Sequence, residues 1–274
     1  MKICVAQTRP IKGDIQSNID NHKKLLDLAV SNGADTVIFP ELSITGYEPE
    51  LAKELATTQD DGRFDDFQKI ADTKRITVGV GVPTKNNKGI CISMVIFQPH
   101  QARQTYSKKY LHSDEEEFFI SGQSSIGLIG DKTKIAFAIC YELSVPEHSE
   151  NAFKSGAEIY IASVAKSANG VEKAVKSLSD IANKYSMTVL MSNCIGPCGG
   201  FEGAGNSSIW NSQGFLVGQL NGTNEGIMII DTDTQKIIEK AIYQTSLESN
   251  RKLQIFWTNG KSTAVKDSLS DSHG

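Results

Sequence analysis

Along this chain, apolar runs of strand length alternate with amphipathic stretches of helical length. Residues 3–7 read as a buried strand. Residues 15–31 carry Ile19, Leu25, Leu26 and Ala29 at helical spacing, and Gly33 stands past their end, where a helix terminus favours glycine. A strand at 36–39 stops at Pro40, with Glu41 just beyond it. The same logic predicts helices at 64–72, 147–155 and 171–185. It predicts strands at 76–82, 90–97, 104–106, 134–139, 159–163, 188–192, 208–210, 215–217 and 226–230. Helical crossovers favour parallel neighbours, and short turns at 86–89 and 212–214 favour antiparallel hairpins, so the fold class is α/β, a sandwich of mixed sheets. No linker divides the chain before about residue 246. The expected organisation is one domain over 1–247 and a polar tail over 248–274, its last residues, 268–274, disordered. Within the tail, Ile255, Phe256 and Trp257 form an apolar cluster expected to dock on the body or on a partner.

Size and charge narrow the function classes. A chain of 274 residues buries about three quarters of its unfolded surface and needs no covalent staples. A net charge of −4, sparse Arg and scattered Lys give no phosphate-tracking stripe, which argues against nucleic acid. No apolar run nears the roughly 20 residues of a membrane span. Residues 1–10 lack the apolar region and cleavage site of a signal peptide, so the expected location is cytoplasmic. Five cysteines (Cys4, Cys91, Cys140, Cys194, Cys198) are an odd number in a chain of this size, which fits free thiols. Cys194 and Cys198 have metal-pair spacing, but no second Cys/His pair accompanies them, so no structural zinc is expected.

Three segments place a reactive side chain where a strand gives way to a turn. In Phe39-Pro40-Glu41, a carboxylate directly after a buried strand is partly desolvated, which raises its pKa toward that of a general base. In Tyr106-Ser107-Lys108-Lys109-Tyr110-Leu111-His112, followed by Asp114 to Glu117, a buried ammonium balanced by nearby acids can stabilise an oxyanion. In Ile135 to Ile139, five apolar residues deliver Cys140 to a strand end, where backbone N–H groups of the next turn can stabilise a thiolate. Each segment alone has a plainer reading: a surface Glu, a solvated charged loop, a buried inert Cys.

Taken together, the segments resemble the nitrilase superfamily of carbon–nitrogen hydrolases, whose Glu–Lys–Cys triad runs in this chain order. The resemblance covers Met1 to about Gln244 and implies an αββα sandwich that dimerises through its stacked sheets. It makes Glu41 the general base and Cys140 the nucleophile. Alignment on Tyr106 and Leu111 makes Lys108, rather than Lys109, the catalytic lysine. A family Glu seven residues before a Gly falls on Glu115, which would position Lys108. Ser107 and Tyr110 depart from the usual basic residue and His, and Ala165 lies near where many members carry an aromatic.

The implied activity is hydrolysis of a small amide or ureido compound through a cysteine thioester, releasing ammonia or an amine. No cofactor is implied, and the implied partners are a small-molecule substrate and further copies of the chain. The alternatives are nitrile hydrolysis on the same triad, a non-catalytic scaffold of the same fold, and an ammonia-donating glutaminase module without its synthetase. On reactivity alone, Cys140 with His148 or His112 is a further alternative, a protease-type dyad. His148, about two turns beyond Cys140, is expected to point away, and His112 to be a bystander.

Overall fold

The computed structural model describes residues 1–122, 128–130 and 133–242. The boundary expected at 247 and the tail with Ile255, Phe256 and Trp257 lie outside these residues.

Among the described residues, fifteen strands follow one another: β1 (Lys2–Gln7), β2 (Thr36–Ile38), β3 (Thr77–Lys85), β4 (Ile90–Phe97), β5 (Gln104–Ser107), β6 (Leu128–Ile129), β7 (Ile135–Ile139), β8 (Ile159–Val164), β9 (Thr188–Asn193), β10 (Ile195–Cys198), β11 (Phe201–Ala204), β12 (Ser208–Trp210), β13 (Leu216–Gln219), β14 (Glu225–Asp231) and β15 (Ile237–Ile242). Five α-helices accompany them: α1 (Ile15–Ser31), α2 (Ala52–Leu55), α3 (Asp65–Lys74), α4 (Pro146–Lys154) and α5 (Ala168–Tyr185). One seven-stranded sheet runs β15-β14-β1-β2-β3-β4-β5, a six-stranded sheet runs β13-β12-β9-β8-β7-β6, and β10-β11 is a separate hairpin. Parallel pairing occurs where helices make the crossovers, in β1-β2-β3 and β7-β8-β9, and the flanking pairs are antiparallel.

Burial along the strands gives the layers. Ile3, Val5 and Ile38 of the first sheet pack with Ile135, Phe137, Ile161 and Leu190 of the second in one core between the sheets. The opposite face of the first sheet packs under α1 and α3 through Leu25, Leu26, Phe64 and Phe67. The opposite face of the second packs under α4 and α5 through Ala152, Ala174 and Leu178. Strands buried on both faces read as continuous apolar runs, and the order of layers is the αββα sandwich. Two hydroxyls stitch the inner faces together: Ser163 Oγ donates to the Phe39 carbonyl at 2.8 Å, and Ser192 Oγ donates to the Ala6 carbonyl at 2.6 Å. These bonds lie at the C-terminal ends of their strands, and so they fix how those ends face each other.

Candidate active site

The residues at these strand ends meet in one cluster. After β2 the chain turns sharply, with Leu42 in the left-handed region at φ 50. Gly81 of β3 is packed so closely against this turn that a Cβ would stand 2.4 Å from both the Leu42 nitrogen and the Pro40 carbonyl oxygen. From the other side, α1 supports the loop: Asn18 Nδ2 donates to the Ile44 carbonyl at 3.0 Å, and the His22 ring bonds Ser43 Oγ at 2.8 Å. Pinned on both sides, the loop directs Glu41 into the gap between the sheets, where it is buried.

Lys108, just past β5, is wholly buried between two carboxylates. Its Nζ donates to Glu41 Oε1 at 2.9 Å and to Glu115 Oε1 at 2.6 Å. Glu115 also accepts from the Tyr47 hydroxyl at 2.9 Å and from the His112 N–H at 2.8 Å. Lys109, the neighbour in sequence, is exposed. Glu116 and Glu117 are exposed as well, so only Glu115 of the acidic run reaches the cluster.

Cys140 ends β7 at φ 44, the left-handed region again, and opens a 3-10 turn over Cys140–Ser144. Such a residue costs about 1–3 kcal/mol and persists only where its surroundings hold it. Here Glu142 holds it. Its fully buried carboxylate accepts from the Ile139 N–H at 2.8 Å, the Lys109 N–H at 2.7 Å and the Tyr106 hydroxyl at 2.6 Å. One side chain therefore ties the turn after β7 to the lysine loop. The half-buried thiol lies 4.0 Å from the Ala165 carbonyl oxygen and within hydrogen-bonding reach of Glu41. Ala165 in turn donates its N–H to Glu41 Oε2 at 3.2 Å.

The charges follow from this packing. Burial raises the Glu41 carboxyl above its usual range, with Lys108 opposing and Glu115 reinforcing the shift. Burial, then the Glu41 charge, push the Cys140 thiol up to about 11. Burial works against the Lys108 ammonium, but its anionic neighbours outweigh it, and the group is held above its ordinary value. The cluster thus sets a thiol and two carboxyl groups around one buried ammonium.

A cavity of about 690 Å³ opens over the thiol, lined among others by Tyr47, Glu115, Tyr141, Lys166 and Phe201. The four site residues expected from sequence, Glu41, Lys108, Glu115 and Cys140, are brought together, and of them Glu115 and Cys140 line the cavity. His148 is not among them: it is buried between the hydroxyls of Tyr106 and Tyr160, at 2.9 and 2.8 Å. His112 faces Asp114 and the Tyr141 ring. Behind the wall, Cys194 and Cys198 pack with their sulfurs 3.2 Å apart against Ala165. No cluster of three metal-ligating side chains occurs among the described residues. Sequence reasoning missed Glu142, although it stands inside the quoted Cys140 segment. A carboxylate two residues after a strand-end cysteine, in an apolar context, is the signal that was available.

Comparison with known proteins agrees with the architecture. The family model described as carbon–nitrogen hydrolase matches residues 2–241. A hydrolase in the agr operon of Staphylococcus aureus is 25% identical over 86% of this chain and 93% of its own length. The glutamine-dependent NAD(+) synthetase of Thermotoga maritima is 24% identical over 85% of this chain, which spans only 42% of that protein. Among solved structures, the amidase of Nesterenkonia sp. AN1 superposes with a TM-score of 0.77 at 22% identity, over 84% of this chain and 90% of that one. That structure is of a mutant with the acetamide moiety of fluoroacetamide added covalently at the active-site cysteine.

Proposed function

This chain belongs to the carbon–nitrogen hydrolase family, and on that footing we propose that it hydrolyses a small amide or ureido compound, with Cys140 as nucleophile, Glu41 as general base, Lys108 as electrostatic stabiliser and Glu115 as the residue that positions Lys108. The observation that carries this reading is the buried ammonium held between two carboxylates directly beside a strand-end thiol. An ion cluster so completely desolvated contributes little net stability for its cost, whereas perturbed groups beneath a cavity are what acyl chemistry needs.

Glu41 takes the thiol proton as the sulfur attacks the carbonyl carbon. The negative charge that develops on the carbonyl oxygen is met by Lys108 and by a backbone N–H; Tyr141 supplies one at the start of the 3-10 turn, where backbone donors lack partners inside the turn. Collapse of the tetrahedral species breaks the carbon–nitrogen bond. Glu41 returns its proton to the departing nitrogen, and a thioester remains on Cys140. Water then attacks the thioester with Glu41 again as base, releasing the acid and restoring the thiol. The protein is read as a cytoplasmic homodimer or higher oligomer.

The test is ammonia release from a panel of amides, ureido acids and nitriles, with variants as controls. Cys140→Ala is expected to abolish turnover without altering the fold, because it removes chemistry and little volume. Lys108→Ala is expected to lower kcat by about 10² to 10³, as loss of an oxyanion donor does, and Lys109→Ala to change it little. Turnover above a few per cent in Cys140→Ala, or the reverse ranking of the two lysines, would remove the proposed roles.

A further inference from the structure

Beside the Cys140 thiol, the cavity has a wall built from Ala165, Lys166, Ser167 and Gly170. Lys166 lines it, half-buried, one residue beyond the Ala165 that touches both Glu41 and the Cys140 thiol. Its backbone is clamped on both sides by one fully buried side chain: Asn193 Oδ1 accepts the Lys166 N–H at 2.9 Å, and Asn193 Nδ2 donates to the Lys166 carbonyl at 3.1 Å. A third bond, from the Ala204 N–H at 2.9 Å, completes the clamp. The position is fixed while the ammonium is left uncommitted.

The other charges of the cavity wall and rim are largely engaged. Lys12 is paired with Glu48 at 2.8 Å, and the His112 ring with Asp114 at 2.5 Å. Glu50 is exposed at the rim. Lys108 is held between its two carboxylates. Among the described residues, Lys166 is therefore the lysine lining the cavity that has no carboxylate partner. The same wall carries the start of α5, whose first turn has no acidic residue and whose N-cap, Ser167, makes no capping bond with its hydroxyl. The helix thus adds partial positive charge beside the ammonium.

We propose that Lys166 is a carboxylate-binding, specificity-determining residue, and that the substrate is an amide or ureido compound bearing an ionised carboxylate at the end remote from the scissile bond. This rests on the hydrolase reading above and deepens it. An anionic substrate would supply the partner that Lys166 lacks, and a charge-assisted bond at a fixed backbone position discriminates against uncharged analogues of equal length. The proximity of Lys166 to the reacting sulfur has an independent sign. Burial and Glu41 push the Cys140 thiol up, and Lys166 leads the charges that pull it back, ahead of Lys108.

The experiment compares the monoamides of butanedioic and pentanedioic acid with butanamide and pentanamide, on the full chain and on Lys166→Ala, Lys166→Arg and Lys166→Glu. In the natural chain, kcat/KM for the acid amide is expected to exceed that for its neutral counterpart at least tenfold, mainly through KM. The ratio should fall at least tenfold in Lys166→Ala, drop below one in Lys166→Glu and persist within a few-fold in Lys166→Arg. A second readout is independent of turnover. Butanedioate or pentanedioate should protect Cys140 from iodoacetamide in the natural chain and in Lys166→Arg, but not in Lys166→Ala. Neutral amides hydrolysed equally well, a ratio indifferent to Lys166, or no protection by either dianion would overturn the carboxylate site while leaving the hydrolase intact. A Cys140 inert to iodoacetamide, with no amide turned over, would instead remove the hydrolase reading, and this inference with it.

Discussion

Cys140 and Glu41 share a single exchangeable proton in the reactive form of the proposed cluster, and this sets the expected pH dependence. Below the raised Glu41 value both groups are protonated and no base remains. As pH climbs through that value, above the usual carboxylate range, kcat/KM should rise. Near pH 11 the shared proton is lost, nothing remains to protonate the leaving nitrogen, and activity should fall. Lys108, held above its ordinary value by the anions around it, stays charged across that window. Glu115, Tyr47 and Lys166 also face the pair, from other segments. A profile of kcat/KM against pH checks this: no acid limb above the carboxylate range, or an alkaline limb near pH 8, would contradict it. At this scale the sequence was readable where a motif is contiguous, as at Glu41, Lys108, Glu115 and Cys140. It was silent on Lys166, whose importance arises from Asn193 and from its distance to a sulfur 26 positions earlier. No local pattern encodes those contacts.

The elements that sequence reading anticipated are those whose apolar faces are complete. Strands β1 to β4, β7 to β9, β12 and β14 are largely buried, and α1 and α5 carry full apolar stripes. Four strands escaped it for physical reasons. β15 is an edge strand, half-exposed throughout, so its sequence Ile-Ile-Glu-Lys-Ala-Ile lacks both a continuous run and a clean alternation. The β10-β11 hairpin carries Gly196, Pro197 and Gly203, which interrupt any apolar run. β6 is two residues long. The strand expected at 215–217 lies instead at Leu216–Gln219, because Phe215 closes the preceding turn through bonds to Asn211. The contact between β3 and the Glu41 turn gives a prediction for elements. Gly81→Ala places a Cβ against backbone atoms that have no rotamer to yield, so overpacking of about 1–3 kcal/mol is expected. Thermal unfolding should show a lowered Tm. The protein that remains folded should also lose kcat, because the displaced turn carries Glu41. A variant with lowered Tm and unchanged kcat would show that the turn adjusts without moving the carboxylate.

At the scale of the whole molecule, the described residues leave some apolar surface exposed. Phe215, Leu216 and Val217, at the edge strand β13, are 65, 46 and 37% exposed, and Phe153 on α4 is 49% exposed. Edge strands with uncovered apolar residues invite pairing, which agrees with the proposed dimer. Light scattering at micromolar concentration is expected to give a dimer or larger. A Phe215→Asp, Leu216→Asp double variant is expected to shift it toward monomer, and a chain ended after Glu248 reads the tail's share. A monomeric natural chain would end this proposal.

The buried ammonium between Glu41 and Glu115 also bears on how chains of this design diverge. Its charge balance is internal, so exchanging one member leaves another uncompensated in the interior, and neighbouring mutations cannot easily restore it. The side chains of Lys166 and Ser167 and the hairpin tip near Phe201 are under no such constraint, because solvent reaches the cavity they line. Descendants of one ancestor can therefore exchange wall residues one at a time and acquire new substrates, while the reaction itself is inherited as a block.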